Sequence, residues 1–237
     1  MVEIDNVRRA NSVLNYILER TRSETVGLGL FYGRPGLGKT RWARRIAISK
    51  GYIYVSLVEN MTLKDFLKKL IILLKYKEAI ATDISGTQSY LYDSILECLQ
   101  HHPGLVLLID EIDYAFSKKR ILATIRDFVD HSDVTIIMLG MHDAKSQLLK
   151  FNSHYFDRCN GFYEFIPLSE VDVSKVLAGV CVVSVDKETV SYITQKSSGT
   201  LRLVNKYIQA IEKAGMSLGK RSLDYRCLKK ILGAINN

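Results

Sequence analysis

Apolar residues recur along the chain in two rhythms. Five stretches are short and continuously or alternately apolar, the pattern of strands: 27–32, 52–57, 105–109, 134–140 and 162–166. Leu105-Val106-Leu107-Leu108-Ile109 has no polar interruption, which fits a central strand covered on both faces. Between the strands the spacing changes to three and four residues. Val7, Ala10, Val13, Leu14 and Ile17 mark a helix over 6–20, and similar patterns cover 41–47, 61–74, 90–100, 120–129 and 142–149. Strands alternating with helices predict an α/β fold with a five-stranded, mainly parallel, doubly wound sheet. Residues 81–89 are polar, with Ser85-Gly86-Thr87 as a break. Pro167-Leu168-Ser169 marks a boundary. Ser169 with Asp172 has the form of a capping box opening a helix to Ala178. Beyond it the chain reads as helical, apart from Val180-Cys181-Val182-Val183 and breaks at Ser198-Gly199, Gly215 and Gly219. The expected domains are an α/β base over 1–166, including the N-terminal helix, and a small helical lid over 167–237.

The first strand runs into Gly33-Arg34-Pro35-Gly36-Leu37-Gly38-Lys39-Thr40, which satisfies G-x-x-x-x-G-K-[ST] at every required position, and Arg41 opens the helix that follows. Glycines let a loop turn its N–H groups inward around a phosphate. The loop delivers that phosphate to a helix N-terminus, where unpaired N–H groups favour anions. Lys39 reaches the β- and γ-phosphates, the Thr40 hydroxyl ligates Mg²⁺, and Pro35 pre-sets one loop dihedral. A bound ATP is therefore expected to touch Gly33, Pro35, Gly36, Leu37, Gly38, Lys39, Thr40 and Arg41. The third strand ends in Asp110-Glu111, at the carboxyl edge where α/β sheets hold ligands. Asp110 is the expected partner of Mg²⁺, directly or through water, and Glu111 the base that activates an attacking water. Glu111 directly after Asp110 favours water as acceptor over a small-molecule kinase substrate. The N-terminal helix either lies over the nucleotide base, with Val7 or Arg8 nearest, or covers the sheet.

The chain has 237 residues, 47% of them hydrophobic and 24% charged, enough for one large or two modest domains. No apolar run approaches the ~20 residues that span a bilayer, and the N-terminus lacks the pattern of a secretory signal. A cytoplasmic, membrane-free protein is expected. Cys98, Cys159, Cys181 and Cys227 are scattered without metal-ligand spacing and read as reduced, buried thiols. The net charge is +8 and uneven: from Gly199 onward eight basic residues face only Glu212 and Asp224. Such a basic pole marks either a nucleic-acid partner or a solvated helical face.

With these residues together, the chain resembles an AAA+ ATPase over nearly its whole length. Within that superfamily it resembles the transposition regulators typified by the B protein of phage Mu, with TnsC, TniB and IstB as relatives. The closest matches are Val7-Arg8-Arg9-Ala10, residues 30–40, Ile109-Asp110-Glu111-Ile112-Asp113-Tyr114 and Ile125-Arg126-Asp127. The resemblance implies catalytic roles for Lys39, Asp110, Glu111, Arg158 and Arg202. Arg158, just before the fifth strand, occupies the place of the arginine finger that reaches a neighbouring subunit's γ-phosphate; otherwise it is a surface cation. Arg202 occupies the place of the sensor-2 arginine of the lid; otherwise it is a helix-surface cation. Where the superfamily often has a polar sensor-1 residue, this chain reads Leu139-Gly140-Met141-His142, which implies slow hydrolysis. The resemblance further implies ATP-dependent homo-oligomers, helical filaments or rings, on double-stranded DNA, and recruitment of a transposase. Candidate DNA contacts are Lys64, Lys68, Lys118, Lys119 and Arg120, each of which otherwise belongs to a solvated helix face. The alternative is a replicative helicase loader or initiator-like ATPase, which shares the same base and lid.

Overall fold

In a computed structural model, residues 2–21, 24–77, 82–151 and 156–233 are described. Ala81 of the expected 81–89 loop, Met1 and the last four residues fall outside that set. The elements are α1 (Asp5–Leu18), β1 (Gly27–Gly33), α2 (Lys39–Lys50), β2 (Ile53–Ser56), α3 (Leu63–Tyr76), α4 (Gln88–His101) and β3 (Val106–Asp110). Then come α5 (Asp113–Phe116), α6 (Lys119–His131), β4 (Thr135–Leu139), α7 (Ala144–Phe151) and β5 (Cys159–Phe165). The C-terminal part holds α8 (Glu170–Val180), β6 (Ser184–Val185), α9 (Lys187–Ser197), α10 (Leu201–Leu218), β7 (Ser222–Leu223) and α11 (Tyr225–Gly233).

The five long strands form one sheet in the order β2-β3-β4-β1-β5. The pairs β2·β3, β3·β4 and β4·β1 are parallel. Every residue of β3 and β4 is buried, as their uninterrupted apolar runs demand. Phe66, Leu67, Leu70, Leu91, Ile95, Ile125 and Phe128 from α3, α4 and α6 cover that sheet, all with no exposed surface. The carboxyl tips of the strands stay joined past the end of the ladder. Leu57 N–H donates to Asp110 O (3.0 Å), Ile112 N–H to Leu139 O (2.9 Å) and Gly140 N–H to Phe31 O (3.0 Å). These bonds hold the segment carrying Asp110 and Glu111 rigidly between its neighbours.

The second half of α1 packs on the sheet. A Cβ on Gly29 of β1 or on Gly161 of β5 would come within 2.6 Å of Ile17 Cδ1, so both positions are small to admit the helix. Trp42 Nε1–H donates to Asn11 Oδ1 at 2.8 Å, tying α2 to the same helix.

By packing, the chain resolves into two compact units. One comprises residues 10–33 and 39–164; the other comprises 1–9, 34–38 and 165–237. In the second unit α8 opens on the expected Ser169–Asp172 capping box and runs two residues past Ala178. The segment after it is not wholly helical. β6 and β7 pair in parallel, Ser184 with Ser222 and Val185 with Leu223, because the short apolar run at 180–183 leads into an extended pair. The four-residue helix α5 was also not legible from the apolar pattern. The thiols depart from expectation as well: Cys98 and Cys159 are buried, but Cys181 is half-buried and Cys227 exposed, and all four are free. No helix among the described residues is long and apolar enough to cross a membrane.

Candidate functional site

The glycine-rich loop is built as its spacing requires. Gly36 and Gly38 have φ of +82° and +100°, left-handed backbone that side-chain-bearing residues rarely adopt. Both are also crowded. A Cβ on Gly36 would sit 2.7 Å from Thr200 Cγ2 and 3.2 Å from Arg202 Cβ, and one on Gly38 would sit 3.0 Å from Leu201 Cδ2. Arg202 N–H donates to Gly36 O at 3.1 Å. The loop tip therefore rests against the first turn of α10, and Arg202 is placed there with its side chain exposed. Val7 is 9% exposed, while Arg8 is exposed and pairs with Asp5 at 2.6 Å. Leu37 is buried, and Arg34 and Pro35 are exposed.

Gly33, Lys39, Thr40 and the acid pair belong to the sheet-centred unit. Lys39 is 9% exposed, and its Nζ donates to Gly33 O at 2.6 Å, which holds the ammonium at the strand tip. Thr40 is half-buried and Arg41 exposed. Asp110 is 2% exposed and two donors hold its carboxylate: the Tyr54 hydroxyl at 2.7 Å on Oδ2 and Glu111 N–H at 3.0 Å on Oδ1. Tyr54 lies on β2, in register with Leu108, and the Arg44 guanidinium stands 5.3 Å over its ring. Burial, then the hydrogen bond to Asp110, pushes the Tyr54 phenol above its ordinary value.

Glu111 has φ of +58°, a conformation costing on the order of 1–3 kcal/mol in a residue with a side chain. Burial, then the charges of Asp110 and Asp113, raises its carboxyl above the usual range, with Lys39 opposing. A carboxylate so biased toward its proton is suited to accept one from water. Asp113 accepts the N–H of Met141 on Oδ1 (3.1 Å) and Oδ2 (2.9 Å), and burial raises its carboxyl too. A carboxylate thus holds the backbone at the position where the superfamily often has a polar sensor side chain, and His142 is exposed.

Arg158 directly precedes β5, whose first residue is Cys159. Its Nε donates to Asp130 Oδ1 at 2.7 Å, and Arg126 pairs with the other oxygen of that carboxylate at 3.2 Å. The Arg158 side chain is 37% exposed. Among the candidate DNA contacts, Lys119 and Arg120 are exposed, while Lys64 and Lys68 are half-buried. Lys118 serves the fold: its ammonium donates to Met61 O at 2.9 Å and to Glu59 O, closing the loop between β2 and α3.

The motif residues were readable because their chemistry depends on identity and spacing. Tyr54, Arg44 and Asp113 were missed, since they meet the acid pair only through strand register and a short helix. A tyrosine two residues from the end of the second strand is the one signal that pointed to such a partner. Among the described residues no group of three or more His, Cys, Asp or Glu could hold a metal alone.

A family model of the AAA domain matches residues 21–148, more than half of the chain. Among solved structures, the chain is similar to the ORC2 protein of Aeropyrum pernix in its ADP form (TM-score 0.68, 15% identity, 97% of this chain and 67% of that one). It is similar to Drosophila ORC bound to DNA (TM-score 0.70, 14% identity, 99% and 62%). It is also similar to a mutant form of Thermotoga maritima RuvB (TM-score 0.67, 17% identity, 99% and 71%). At these identities the likeness is one of fold, and the chain spans about two thirds of the length of the ORC structures. No curated protein matches it by sequence. With an intact phosphate loop, an acid pair ending the third strand and the sheet order given above, the chain belongs to the AAA family of P-loop ATPases.

Proposed function

We propose that this chain is an initiator-like or helicase-loader-like AAA+ ATPase, which binds MgATP, assembles with copies of itself and acts on double-stranded DNA. The observation that carries the nucleotide-responsive part is the seating of Arg202 on the phosphate loop, with its N–H on Gly36 O at 3.1 Å. Likeness to ORC folds along nearly the full length supports the initiator side, and one of those structures is bound to DNA.

The residues fit the group they would hold. The left-handed backbone at Gly36 and Gly38 is what a loop needs to turn N–H groups toward a phosphate, and Lys39 is poised to exchange the Gly33 carbonyl for phosphate oxygens. Thr40 and Asp110 would hold Mg²⁺. When bound, MgATP supplies the γ-phosphoryl group that is transferred to water. Glu111 takes the proton of that water. Arg202 contacts the nucleotide of its own subunit, and Arg158, released from Asp130, reaches that of a neighbour and offsets charge on the transferring group. Met141, held by its N–H on Asp113, stands where a polar sensor side chain is common, and slow turnover is expected.

The transposition-regulator reading shares every one of these steps and differs in the partner recruited, a transposase in place of a replicative helicase. Its support is the sequence resemblance at Val7–Ala10 and Ile125–Asp127. The test is nucleotide binding, turnover and electron microscopy on duplex DNA with wild type, Lys39→Ala, Glu111→Gln and Arg158→Ala. Lys39→Ala should lose nucleotide binding. Glu111→Gln should bind ATP, turn over at least about a hundredfold more slowly, and accumulate DNA-bound oligomers. Arg158→Ala should bind nucleotide as a monomer and fail to assemble. Protein that remains monomeric with ATP and duplex overturns the proposal. Pull-down against purified helicase and transposase then decides the partner.

A further inference from the structure

The segment from α10 to the C-terminus carries a run of exposed cations. Lys206 and Lys213 lie on α10 seven residues apart, two turns and so one face, and both are exposed. Lys220 follows the helix end at Gly219, and α11 presents Arg226 and Lys230 opposite its buried Leu228 and Leu232, with the exposed Lys229 on the flank. Among the described residues none of these six forms an ion pair. The two acids of the segment are engaged with backbone. Glu212 Oε1 accepts Val182 N–H at 3.1 Å, and Asp224 Oδ1 accepts Cys227 N–H at 2.9 Å.

We infer that this basic end of the lid, with Lys206, Lys213, Lys220, Arg226, Lys229 and Lys230, is a phosphate-backbone contact surface for duplex DNA. The inference rests on the DNA-associated reading above and assigns the surface that serves it. Five such cations on two packed helices, with Lys220 in the connection between them, suit a rod with one charge per ~1.7 Å of axis, and releasing its counterions drives binding without sequence preference. Single-stranded nucleic acid is disfavoured by the absence of rings to stack on. The lid has no exposed aromatic side chain among the described residues: Tyr207 is buried, and Tyr192 and Tyr225 pack on each other with centroids 5.1 Å apart. The candidates Lys64, Lys68 and Lys118 are weaker choices, being half-buried or, in Lys118, bonded to two carbonyls.

The test uses the full chain with a slowly hydrolysed ATP analogue and a labelled duplex of mixed sequence, over a salt series. The variants are Lys206→Glu/Lys213→Glu and Arg226→Glu/Lys230→Glu, with Lys64→Glu/Lys68→Glu as the comparison. Each lid pair should weaken duplex binding at least about tenfold and flatten the plot of log affinity against log salt by about two units. Both lid pairs should bind the analogue and melt as wild type does, which separates lost contact from lost fold. The Lys64/Lys68 pair should keep near-wild-type affinity. Wild-type DNA affinity and salt slope in both lid pairs overturn the inference and leave the DNA-associated reading standing. Tighter binding of single strands than of duplex overturns it as well. Wild-type protein that binds no duplex in any nucleotide state removes the reading itself, and the inference with it.

Discussion

Asp110 illustrates how a buried charge is kept in place before any ligand arrives. At 2% exposure its carboxylate has left most of its water, and the fold replaces that water with Tyr54 O–H and Glu111 N–H. Removing one donor leaves part of that desolvation uncompensated. Tyr54→Phe should therefore lower unfolding stability by about 1–3 kcal/mol, seen as a lower urea midpoint at unchanged slope; an unchanged midpoint would show that water reaches the carboxylate. This interaction was hidden in the sequence for a definite reason. Asp110 and Glu111 announce themselves by type and position, but Tyr54 is 56 residues away and meets Asp110 only because β2 and β3 pair in the register Ser56 with Asp110. The left-handed backbone of Glu111 was equally unreadable, because neighbouring strand tips impose it.

Helices and strands show the same division between what is local and what is not. β3 and β4 were legible because burial on both faces leaves an uninterrupted apolar run. The capping box of α8 was legible because Ser169 and Asp172 are three apart, and both reciprocal bonds are present. An equivalent box, Thr62 with Asp65 at the start of α3, went unread although its spacing is identical. The two-residue strands β6 and β7 could not be read, since two residues carry no period. Ser169→Ala removes the side-chain acceptor of Asp172 N–H (3.1 Å) and should cost about 1 kcal/mol. Hydrogen exchange should quicken in the first turn of α8 and stay unchanged in β3 and β4. Lys118 makes the complementary point. Its charge marked it as a partner contact, yet its ammonium closes the β2–α3 loop, and charge alone does not tell the two uses apart.

The unit that contains the lid helices is assembled from three separate pieces of chain, 1–9, 34–38 and 165–237. The amino-terminal piece is fastened by backbone-level bonds. Asp5 N–H donates to Asp172 Oδ1 (3.0 Å), Asn6 Nδ2–H to Ile166 O (2.7 Å) and Ile166 N–H to Asn6 Oδ1 (3.1 Å). The apolar pattern showed that residues 6–20 form a helix and could not show that its first turn docks on a segment 160 residues later. Deleting residues 2–9 should loosen 166–180, with faster exchange there, while β3 and β4 remain protected. Uniform loosening of both units would show that they unfold together. The opening residues of this polypeptide are thus a handle on its closing ones. Whatever grips, cleaves or displaces that first turn tugs on the same packed group as Gly36 and Arg202, and so has a route to the phosphate loop.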